Sequence, residues 1–496
     1  MKSPFHPLIA IVGTTGVSKS RLAVELALHI KLRQNAKIIN ADAMQVYAGL
    51  DITTNKMTLQ EQRGIEHLLM SFKSPGEQYV VGQWVSDAAK LIDEMHTQQE
   101  VPIVVGGTAY WIQHLLFPNR LASLPLGHEA SNQPAPLSIE LSDSIQSLST
   151  QLKEIWTSLP ASAPSASTDP TAAHDLHALL SAIDPTIASR WHWKDSRKVL
   201  TSLRVAKDHG KKPSDVHANQ AAEVAPRYDT LIFWLFSEPD ILNPRLDARV
   251  DQMLEQGLLE EIRSVRELVE AGTSSASDTE ASNASPPPDY TLGIFQSIGF
   301  REFDFYLSSS PNDSEQDKRF REAVDLMKLS TRQYARRQIK WLRSKLLPAV
   351  RSSDRTKLFV LDANNLGDEW TRDVRDVALD LTDRFLDRGQ LPDPTSLSSL
   401  AARILISEED HMSDGVELIQ ARGHIICPTC TTDPSRPLMV EQGEQWNLHQ
   451  RTRRHRRALK KKYSRRESQN NSDVESTSLL PLGETKRDPS EVTQSP

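Results

Sequence analysis

A strand followed by a loop and a helix opens the chain and constrains its fold more than any other feature. Residues 8–12 read LIAIV, an apolar run typical of a buried parallel strand, and residues 13–20 read GTTGVSKS before a stretch rich in Leu and Ala. Such a loop surrounds phosphate oxygens with backbone N–H groups, while its Lys supplies a counter-charge and its Ser hydroxyl binds Mg²⁺. We therefore predict a phosphate-binding loop made of Gly13, Thr14, Thr15, Gly16, Val17, Ser18, Lys19 and Ser20.

One position of this loop departs from the usual pattern. Ser18 stands where a glycine is expected, directly before Lys19. Glycine is used where backbone must approach a ligand closely, so the Cβ of Ser18 is expected to crowd the loop or its ligand. An ordinary strand-to-helix turn is the alternative, but the strand, the two glycines, the Lys-Ser pair and the helix together favour phosphate binding.

Further apolar runs alternate with helix-like periodicity, as in a parallel α/β sheet. Strands are predicted at KIIN, PIVVGG, LIFWLF and KLFVLDA, residues 37–40, 102–107, 231–236 and 357–363. The apolar spacing between Val81 and Met95 predicts a crossover helix, and a long helix is predicted over 246–269. The predicted domains are a core in two parts (1–120 and 216–400), a helical insertion (121–215), a Cys/His segment (420–466) and a disordered tail (467–496).

Two segments rich in Ser and Pro interrupt this pattern. Residues 121–171 and 273–289 lack the apolar content to fold alone, and we expect both to loop out as disordered inserts. Because LIFWLF follows the first of them, sheet material resumes after an insertion.

Composition limits the classes of function. No apolar run reaches the ~18 residues that a membrane helix needs, and the start, MKSPFHPL, resembles neither a secretory signal nor a transit peptide. We expect a cytoplasmic monomer without a membrane partner, with the mitochondrion and the nucleus as further compartments. The formal net charge of −7 disfavours nucleic acid as a partner, but residues 451–466, RTRRHRRALKKKYSRR, form a dense basic stretch.

Polar residues follow two of the predicted strands. Asp42 comes directly after KIIN, and Gly106, Gly107 and Thr108 follow PIVV. Because the carboxyl ends of parallel strands line the ligand crevice of an open sheet, Asp42 is expected near the phosphate loop, as a general base or an indirect Mg²⁺ ligand. A helix N-cap is an equally good interpretation of Asp42. The two glycines let backbone approach a ligand and Thr108 offers a hydroxyl, with a plain turn as the alternative.

Two basic segments are candidates for contact with nucleic acid. ASRWHWKDSRK, residues 188–198, combines Arg197 and Lys198 with two tryptophans, a set suited to RNA, although a solvated helix start is the preferred interpretation. TRQYARRQ and the residues after it place basic side chains four apart between Arg332 and Lys340. This stripe suits a nucleic-acid backbone, although such stripes are more often solvated faces.

The only two cysteines form a Cys-x2-Cys motif that two histidines follow. Two thiolates and two imidazoles make the tetrahedral ligand set of a structural Zn²⁺ site. We therefore predict zinc, rather than a disulfide or redox use, bound by Cys427, Cys430, His449 and His455. Trp446 and Leu448 are expected to supply the small core of this finger. For the basic stretch, phosphate contact on RNA or DNA competes with nuclear import.

Taken together and in order, these segments resemble the tRNA dimethylallyltransferases, also called tRNA isopentenyltransferases, in their eukaryotic form with a C-terminal C2H2-type zinc finger. The resemblance covers about residues 8–350 and, through the finger, extends to about residue 460. It rests on GTTGVSKS, DAMQVY, GLDITTNKMT, PIVVGGTAYWI, ASRWHWKDSRKV, RLDARVDQMLEQGLLEEI, GIFQSIGFREF and TRQYARRQIKWLR. It implies an α/β fold with a P-loop-type parallel sheet core, an inserted helical tRNA-binding domain and a small C-terminal zinc finger.

The resemblance also implies a reaction: transfer of a dimethylallyl group from dimethylallyl diphosphate to N6 of adenosine 37 in the tRNA anticodon stem-loop, with Mg²⁺ and Zn²⁺ as cofactors. Asp42 matches the family's catalytic base, which takes a proton from N6. The matches to residues that stabilise the leaving diphosphate are Lys19, Ser20, Thr15, Arg245 and Arg249. The matches to tRNA contacts are Asp42, Ala43, Met44, Gln45, Thr108, Arg197 and Lys198.

Four positions depart from the family pattern. Ser18, Ala43, Ala109 and Thr201 stand where the family has Gly, Ser, Asn and Arg. A catalytically weakened tRNA-binding homologue is therefore one alternative. An adenylate isopentenyltransferase that acts on free nucleotide and a small-molecule kinase are two others, but the finger and the basic segments favour a tRNA substrate.

Overall fold

Parallel strands and helices make up most of the protein. The computed structural model describes residues 5–75, 77–118, 136–220, 226–274, 293–309, 315–406, 423–434 and 436–461. The main sheet contains β1 (Pro7–Gly13), β2 (Ala36–Asn40), β3 (His67–Leu68), β4 (Val101–Val105), β5 (Asp229–Phe236) and β6 (Thr356–Asp362). All its pairings are parallel, in the order β3-β2-β4-β1-β5-β6. The α/β prediction is confirmed.

Each of the five predicted strands is present, and β1 lies near the middle of the sheet. Ile9 of β1 pairs with Ile103 on one side and Leu231 on the other. These strands read as continuous apolar runs because helices cover both faces of a parallel sheet. The strand β3 was not predicted, since two residues carry no periodic pattern.

The α-helices of the first part of the core connect the strands of the sheet, and further helices follow along the chain. They are α1 (Lys19–Ile30), α2 (Leu59–Gln62), α3 (Val81–Thr97), α4 (Ala109–Leu116), α5 (Ile139–Gln146), α6 (Thr150–Thr157), α7 (Pro170–Ile183), α8 (Pro185–Ala188), α9 (Ser196–His209), α10 (Pro213–Gln220), α11 (Pro239–Glu255), α12 (Leu258–Ser274), α13 (Phe300–Leu307), α14 (Gln316–Trp341), α15 (Leu347–Arg351), α16 (Asp376–Leu386), α17 (Ser399–Ile406) and α18 (Glu444–Arg451). Short 3-10 and π segments lie at Gly293–Gln296, Leu342–Leu346, Thr371–Arg375 and Pro394–Ser396. Among the described helices, none is both long and apolar enough to cross a bilayer.

The helix α3 confirms the predicted crossover, but the single long helix over 246–269 is wrong. Two helices, α11 and α12, occupy this stretch and meet at Gly257. Gly257 has φ +99°, a left-handed conformation that ends α11 and that glycine adopts without steric cost. The apolar spacing continues across the break, which is why periodicity alone did not reveal it.

The chain divides into two compact units. The first combines Met1–Gln133 with Val216–Met412 and contains the main sheet. Alternate residues of β1 enter different cores: Leu8, Ala10 and Val12 pack on one face of the sheet, and Ile9 and Ile11 pack on the other. Both faces are therefore buried, and the carboxyl ends of the strands remain as the edge that can carry a site.

The second unit combines Pro134–Asp215 with Ser413–Pro496. Its helices α5 to α9 pack around an apolar cluster that includes Leu141, Leu180 and Leu203. Its strands β7 (His424–Ile426) and β8 (Met439–Glu441) form an antiparallel hairpin that α18 follows. The boundaries predicted for the separate domains stay predictions.

The predicted loop over 121–171 needs correction in its second half. The helices α5, α6 and the start of α7 lie there, and apolar side chains such as Leu152 and Ile155 pack in the second unit. The stretch lacks a core of its own, but its sparse apolar residues recur at helical spacing and pack on neighbouring helices. Residues 119–135, 275–292 and 462–496, which include most of the predicted disordered segments, lie outside the described residues.

Candidate active site

The loop between β1 and α1 has the backbone of a phosphate-binding loop. Gly13 has φ +149°, and a Cβ there would lie 2.5 Å from the carbonyl oxygen of Leu235. Gly16 has φ +82°, and its Cβ would lie 2.7 Å from the side chain of Leu246. Both positions therefore require glycine. Ser18 also adopts a left-handed conformation, with φ 60° and ψ 35°, so backbone conformation gives a second reason why the pattern favours glycine there.

Lys19 of this loop lies within electrostatic reach of one further cation, Arg249, and of one carboxylate, Asp42. The Lys19 ammonium donates to the carbonyl oxygen of Thr14 at 2.6 Å. Burial lowers the pKa of Lys19 to about 8, an effect that Asp42 opposes and Arg249 reinforces. Burial likewise lowers the pKa of Arg249 to about 10, against the attraction of Asp42. These fixed charges are poised for an anionic ligand.

Arg245 holds the loop rather than extending freely into the site. Its guanidinium donates to the carbonyl oxygens of Gly16 at 3.2 Å, Ala363 at 3.1 Å and Asn364 at 2.6 Å. These bonds tie the phosphate loop to the end of β6. A direct contact between Arg245 and a diphosphate stays a prediction, and the structure gives this residue a positioning role.

Asp42 is followed by a turn, and no helix begins between it and α2, so the interpretation of Asp42 as a helix N-cap is wrong. Its role as a base stays a prediction. Its Oδ1 accepts a hydrogen bond from the backbone N–H of Met44 at 2.9 Å, which stabilises this turn. Its Oδ2 lies on the other side, 3.4 Å from the position that a Cβ on Gly107 would take. The Asn40 side chain fixes the backbone of Asp42, since its Nδ2 donates to the Asp42 carbonyl oxygen and its Oδ1 accepts from the Asp42 N–H. One oxygen therefore orients the turn and the other faces the strand ends.

The turn after β4 packs directly against the turn after β2. A Cβ on Gly106 would lie 2.1 Å from the carbonyl oxygen of Ala41, so the two backbones touch. The Thr108 hydroxyl accepts from the N–H of Ala43 at 3.0 Å. Thr108 and Ala43 therefore lie together beside Asp42, as expected for carboxyl ends of adjacent parallel strands.

Gln45 lies in the turn after Asp42, and its side chain holds the segment at residues 54 and 55. Its amide donates to the carbonyl oxygens of Thr54 at 3.1 Å and Asn55 at 3.3 Å. Met44 is partly buried against the core. Glu261 of α12 holds the same segment, because its carboxylate accepts from the N–H groups of residues 52 and 53.

The helix α14 closes the site with Gln338, which is 5% exposed. Its side-chain Oε1 accepts from the backbone N–H of Thr15 at 2.9 Å, and its side-chain Nε2 donates to the carbonyl oxygen of Gly107 at 2.9 Å. A single side chain thus links the phosphate loop to the turn after β4. On the same helix Arg332 pairs with Asp247, while Arg336 and Lys340 are exposed.

Arg197 and Lys198 belong to the second unit, where they begin α9 and are exposed. The Lys198 ammonium lies 2.7 Å from Asp195 and 4.9 Å from the ring centre of Trp191. Trp193 is buried, and its N–H donates to the carbonyl oxygen of Pro437 at 2.9 Å. The aromatic half of this segment therefore packs the finger against the helices instead of forming an exposed stacking surface.

The Cys-x2-Cys motif and the two histidines form one cluster. The ligand atoms of Cys427, Cys430, His449 and His455 all lie within 4.8 Å of one another. Both sulfurs and the His455 ring are buried. Trp446 stacks on the His449 ring at 5.6 Å, as the predicted small core requires. The prediction for Leu448 is wrong, because its side chain is 50% exposed.

Comparison with known proteins gives the family. The model of the family described as IPP transferase matches residues 45–345. The chain belongs to this family. The tRNA dimethylallyltransferase of Schizosaccharomyces pombe is 34% identical over 93% of this chain and 97% of its own length. That of Saccharomyces cerevisiae is 30% identical over 92% of each chain.

A solved structure extends the IPP transferase match to the fold. It is a crystal structure of a eukaryotic dimethylallyltransferase acting on tRNA, with a TM-score of 0.68 and 29% sequence identity. The match covers 94% of this chain and 99% of that one. The family resemblance and the overall architecture, including a small C-terminal hairpin with a Cys/His cluster, are thus confirmed.

Sequence reasoning missed two residues that organise the site of this IPP transferase. Gln338 ends TRQYARRQ, but its neighbours suggested a charge stripe, and nothing local shows that it reaches Thr15 and Gly107. Glu261 ends GLLEE and lies more than 200 positions after the segment it fixes. Both bonds join distant parts of the chain, so only an ordered family motif could have indicated them.

Proposed function

We propose that this chain transfers a dimethylallyl group from dimethylallyl diphosphate to N6 of adenosine 37 in tRNA. One observation carries the proposal: the partly buried cations Lys19, in the phosphate loop, and Arg249, on α11, lie within electrostatic reach of Asp42. A leaving diphosphate and a base for the nucleophile are needed side by side in this reaction. The nearly full-length tRNA dimethylallyltransferase relatives favour tRNA over free nucleotide as the acceptor.

The proposed mechanism assigns one task to each side of the site. The loop N–H groups with Lys19 and Arg249 hold the diphosphate and stabilise the charge that grows as the allylic C–O bond breaks. N6 of the adenine attacks the allylic carbon, and Asp42 Oδ2 takes the N6 proton. Arg245 and Gln338 hold the loop in place.

Magnesium fits the donor set beside the loop. Ser20 offers a hydroxyl at the start of α1, and the Thr14 hydroxyl is buried with no hydrogen-bond partner among the described residues. Ser20 would hold the ion together with diphosphate oxygens. When bound, Mg²⁺ supplies charge neutralisation for the leaving diphosphate.

Zinc fits the Cys/His cluster, since two sulfurs and two imidazole nitrogens already converge there. The exposed arginines after it, with Arg197 and Lys198 of α9, are proposed to contact the tRNA backbone. Ala43, Met44, Gln45 and Thr108 are proposed to surround the extruded base. A monomeric state and a cytoplasmic location, with mitochondrion and nucleus as further compartments, stay predictions.

A transfer assay tests the proposal. The protein is incubated with Mg²⁺ and dimethylallyl diphosphate, and with a tRNA carrying adenosines at positions 36 to 38, the same tRNA with guanosine at 37, or AMP. We expect N6-dimethylallyladenosine only in the first tRNA. Product on AMP would support an adenylate isopentenyltransferase, and tight tRNA binding without product would support a weakened homologue.

A further inference from the structure

Two separate sets of cations in the second unit are candidates for contact with tRNA phosphates. Arg197 and Lys198 lie exposed at the start of α9. The other set follows the finger's ligand His449 and lines one surface depression of about 340 Å³: Arg451, Arg453, Arg456, Arg457 and Lys460. The two sets are far apart in the sequence, so only the packing of the finger can fix their positions relative to each other.

Hydrogen bonds join the finger to the segment that leads into α9. The Trp193 indole N–H donates to the carbonyl oxygen of Pro437 at 2.9 Å. The backbone N–H of His424, at the start of β7, donates to the carbonyl oxygen of Ser189. Because these bonds lie at two different points of the segment, they restrict rotation of the finger as well as its separation from the helices.

An apolar contact adds to these bonds at Trp193. Its side chain is 2% exposed and packs in one small cluster with Met439 of β8 and Ala173 of α7. A buried tryptophan removes a large apolar area from water while its N–H keeps a hydrogen-bond partner. Trp193 thus supplies both the polar and the apolar part of the contact that docks the finger on the helices.

Both sides of this docking contact are themselves fixed. On the finger side, Leu438 follows Pro437, and its carbonyl oxygen accepts from the N–H of the ligand Cys427 at 2.8 Å. On the helix side, Asp195 is the N-cap of α9, and its carboxylate accepts from the N–H of Lys198. The contact therefore connects the loop that carries a zinc ligand to the start of the helix that carries the first set of cations.

Resting on the proposed function, we propose that Trp193 is a positioning residue that docks the finger so that the two sets of cations bind tRNA as one surface. A finger on a loose connection would have to be ordered when tRNA binds, and that ordering lowers affinity. A docked finger already presents its cations at a fixed distance from Arg197 and Lys198, which raises their effective concentration at the tRNA backbone. Trp193 is buried and acts through the finger.

A binding measurement on the full chain tests this role without requiring turnover. Trp193→Ala removes the hydrogen bond and the apolar contact, and Met439→Ala removes the apolar contact from the finger side. With a tRNA carrying adenosines at positions 36 to 38, we expect affinity to fall at least about tenfold in Trp193→Ala and about threefold in Met439→Ala. Bound zinc and the affinity for dimethylallyl diphosphate should stay unchanged in both.

The double variant distinguishes one shared contact from two separate effects. Because both side chains act through the same contact, Trp193→Ala combined with Met439→Ala should bind tRNA no more than about twofold more weakly than Trp193→Ala alone. Fully additive losses would overturn the proposal.

Trp156→Ala is the control, because Trp156 packs in the apolar cluster of the helices of the second unit. Its affinity for tRNA should stay unchanged. Equal losses in Trp156→Ala and Trp193→Ala, or an unchanged affinity in Trp193→Ala with zinc bound, would overturn the proposal. If Trp193→Ala does not retain zinc, Met439→Ala decides by the same criteria. Failure of the transfer assay with the expected binding results would reject the proposed function alone.

Discussion

Ser18 holds a left-handed backbone conformation directly before Lys19. Such a conformation costs a residue with a Cβ about 1–2 kcal/mol, and glycine avoids this cost. Ser18→Gly is therefore expected to raise the free energy of unfolding by about 1 kcal/mol, measured by urea denaturation. Ser352→Gly is the control, because Ser352 has φ −80° and should lose about 0.5 kcal/mol. Equal effects of the two substitutions would show that Ser18 is not strained.

Lys19 ties ligand binding to pH. Its pKa of about 8 in the free protein means that its charge is lost as pH rises through 8. We expect the affinity for dimethylallyl diphosphate to fall between pH 7 and 9 in the unaltered protein. Lys19→Ala should bind dimethylallyl diphosphate more weakly at every pH and should lack this fall. Because the ligand titrates identically in both experiments, the difference between the two pH profiles reports Lys19 alone. Calorimetry at several pH values measures the affinity of both proteins. The same pH dependence of affinity in the two proteins would contradict this account.

At the scale of elements, α14 connects two loops through Gln338. Loss of this amide leaves the N–H of Thr15 and the carbonyl of Gly107 without their partner. Gln338→Leu is therefore expected to lower the free energy of unfolding by about 2 kcal/mol and to weaken dimethylallyl diphosphate binding. Gln333→Leu, exposed on the same helix, is the control and should change stability by less than about 0.5 kcal/mol. A similar loss of stability in both variants would refute the role of Gln338 in linking the two loops.

Some elements of the fold could be predicted from the sequence, and others could not. Buried strands and the helix α3 were predictable because their apolar spacing is a local property. The positions of the phosphate loop and Asp42 were predictable because both follow strands, while the role of Asp42 stays a prediction. The break at Gly257 was not predictable, since the apolar spacing continues across it, and the helices α5 and α6 were not, since their few apolar residues pack on neighbouring helices. The same holds for Gln338, whose partners lie hundreds of positions away.

At the scale of the whole molecule, the Cys/His cluster and the main sheet belong to different compact units. Within the second unit the finger packs on Trp193, and His424 N–H bonds to the Ser189 carbonyl oxygen. Cys427→Ser should therefore lower bound zinc, increase hydrogen exchange over residues 189–193 and raise the KM for tRNA. The KM for dimethylallyl diphosphate should stay unchanged.

Thr432→Ser is the control for this experiment, because Thr432 is exposed between the finger's ligands. It should leave zinc content, exchange and both KM values as they are. Undiminished zinc in Cys427→Ser would reject the site. Zinc loss without faster exchange over residues 189–193 would reject its coupling to the helices. The sequence predicted the four ligands from spacing, but the packing of the finger on the helices involves residues about 240 positions apart.

The central claim is that Asp42 takes the N6 proton while the phosphate loop holds the leaving diphosphate. The most direct test is the single-turnover rate of dimethylallyl transfer to tRNA by Asp42→Asn, with exposed Asp368→Asn as the control. We predict a fall of at least about a hundredfold for Asp42→Asn, with dimethylallyl diphosphate still bound, and an unchanged rate for the control. A rate for Asp42→Asn equal to that of the unaltered protein would contradict the account.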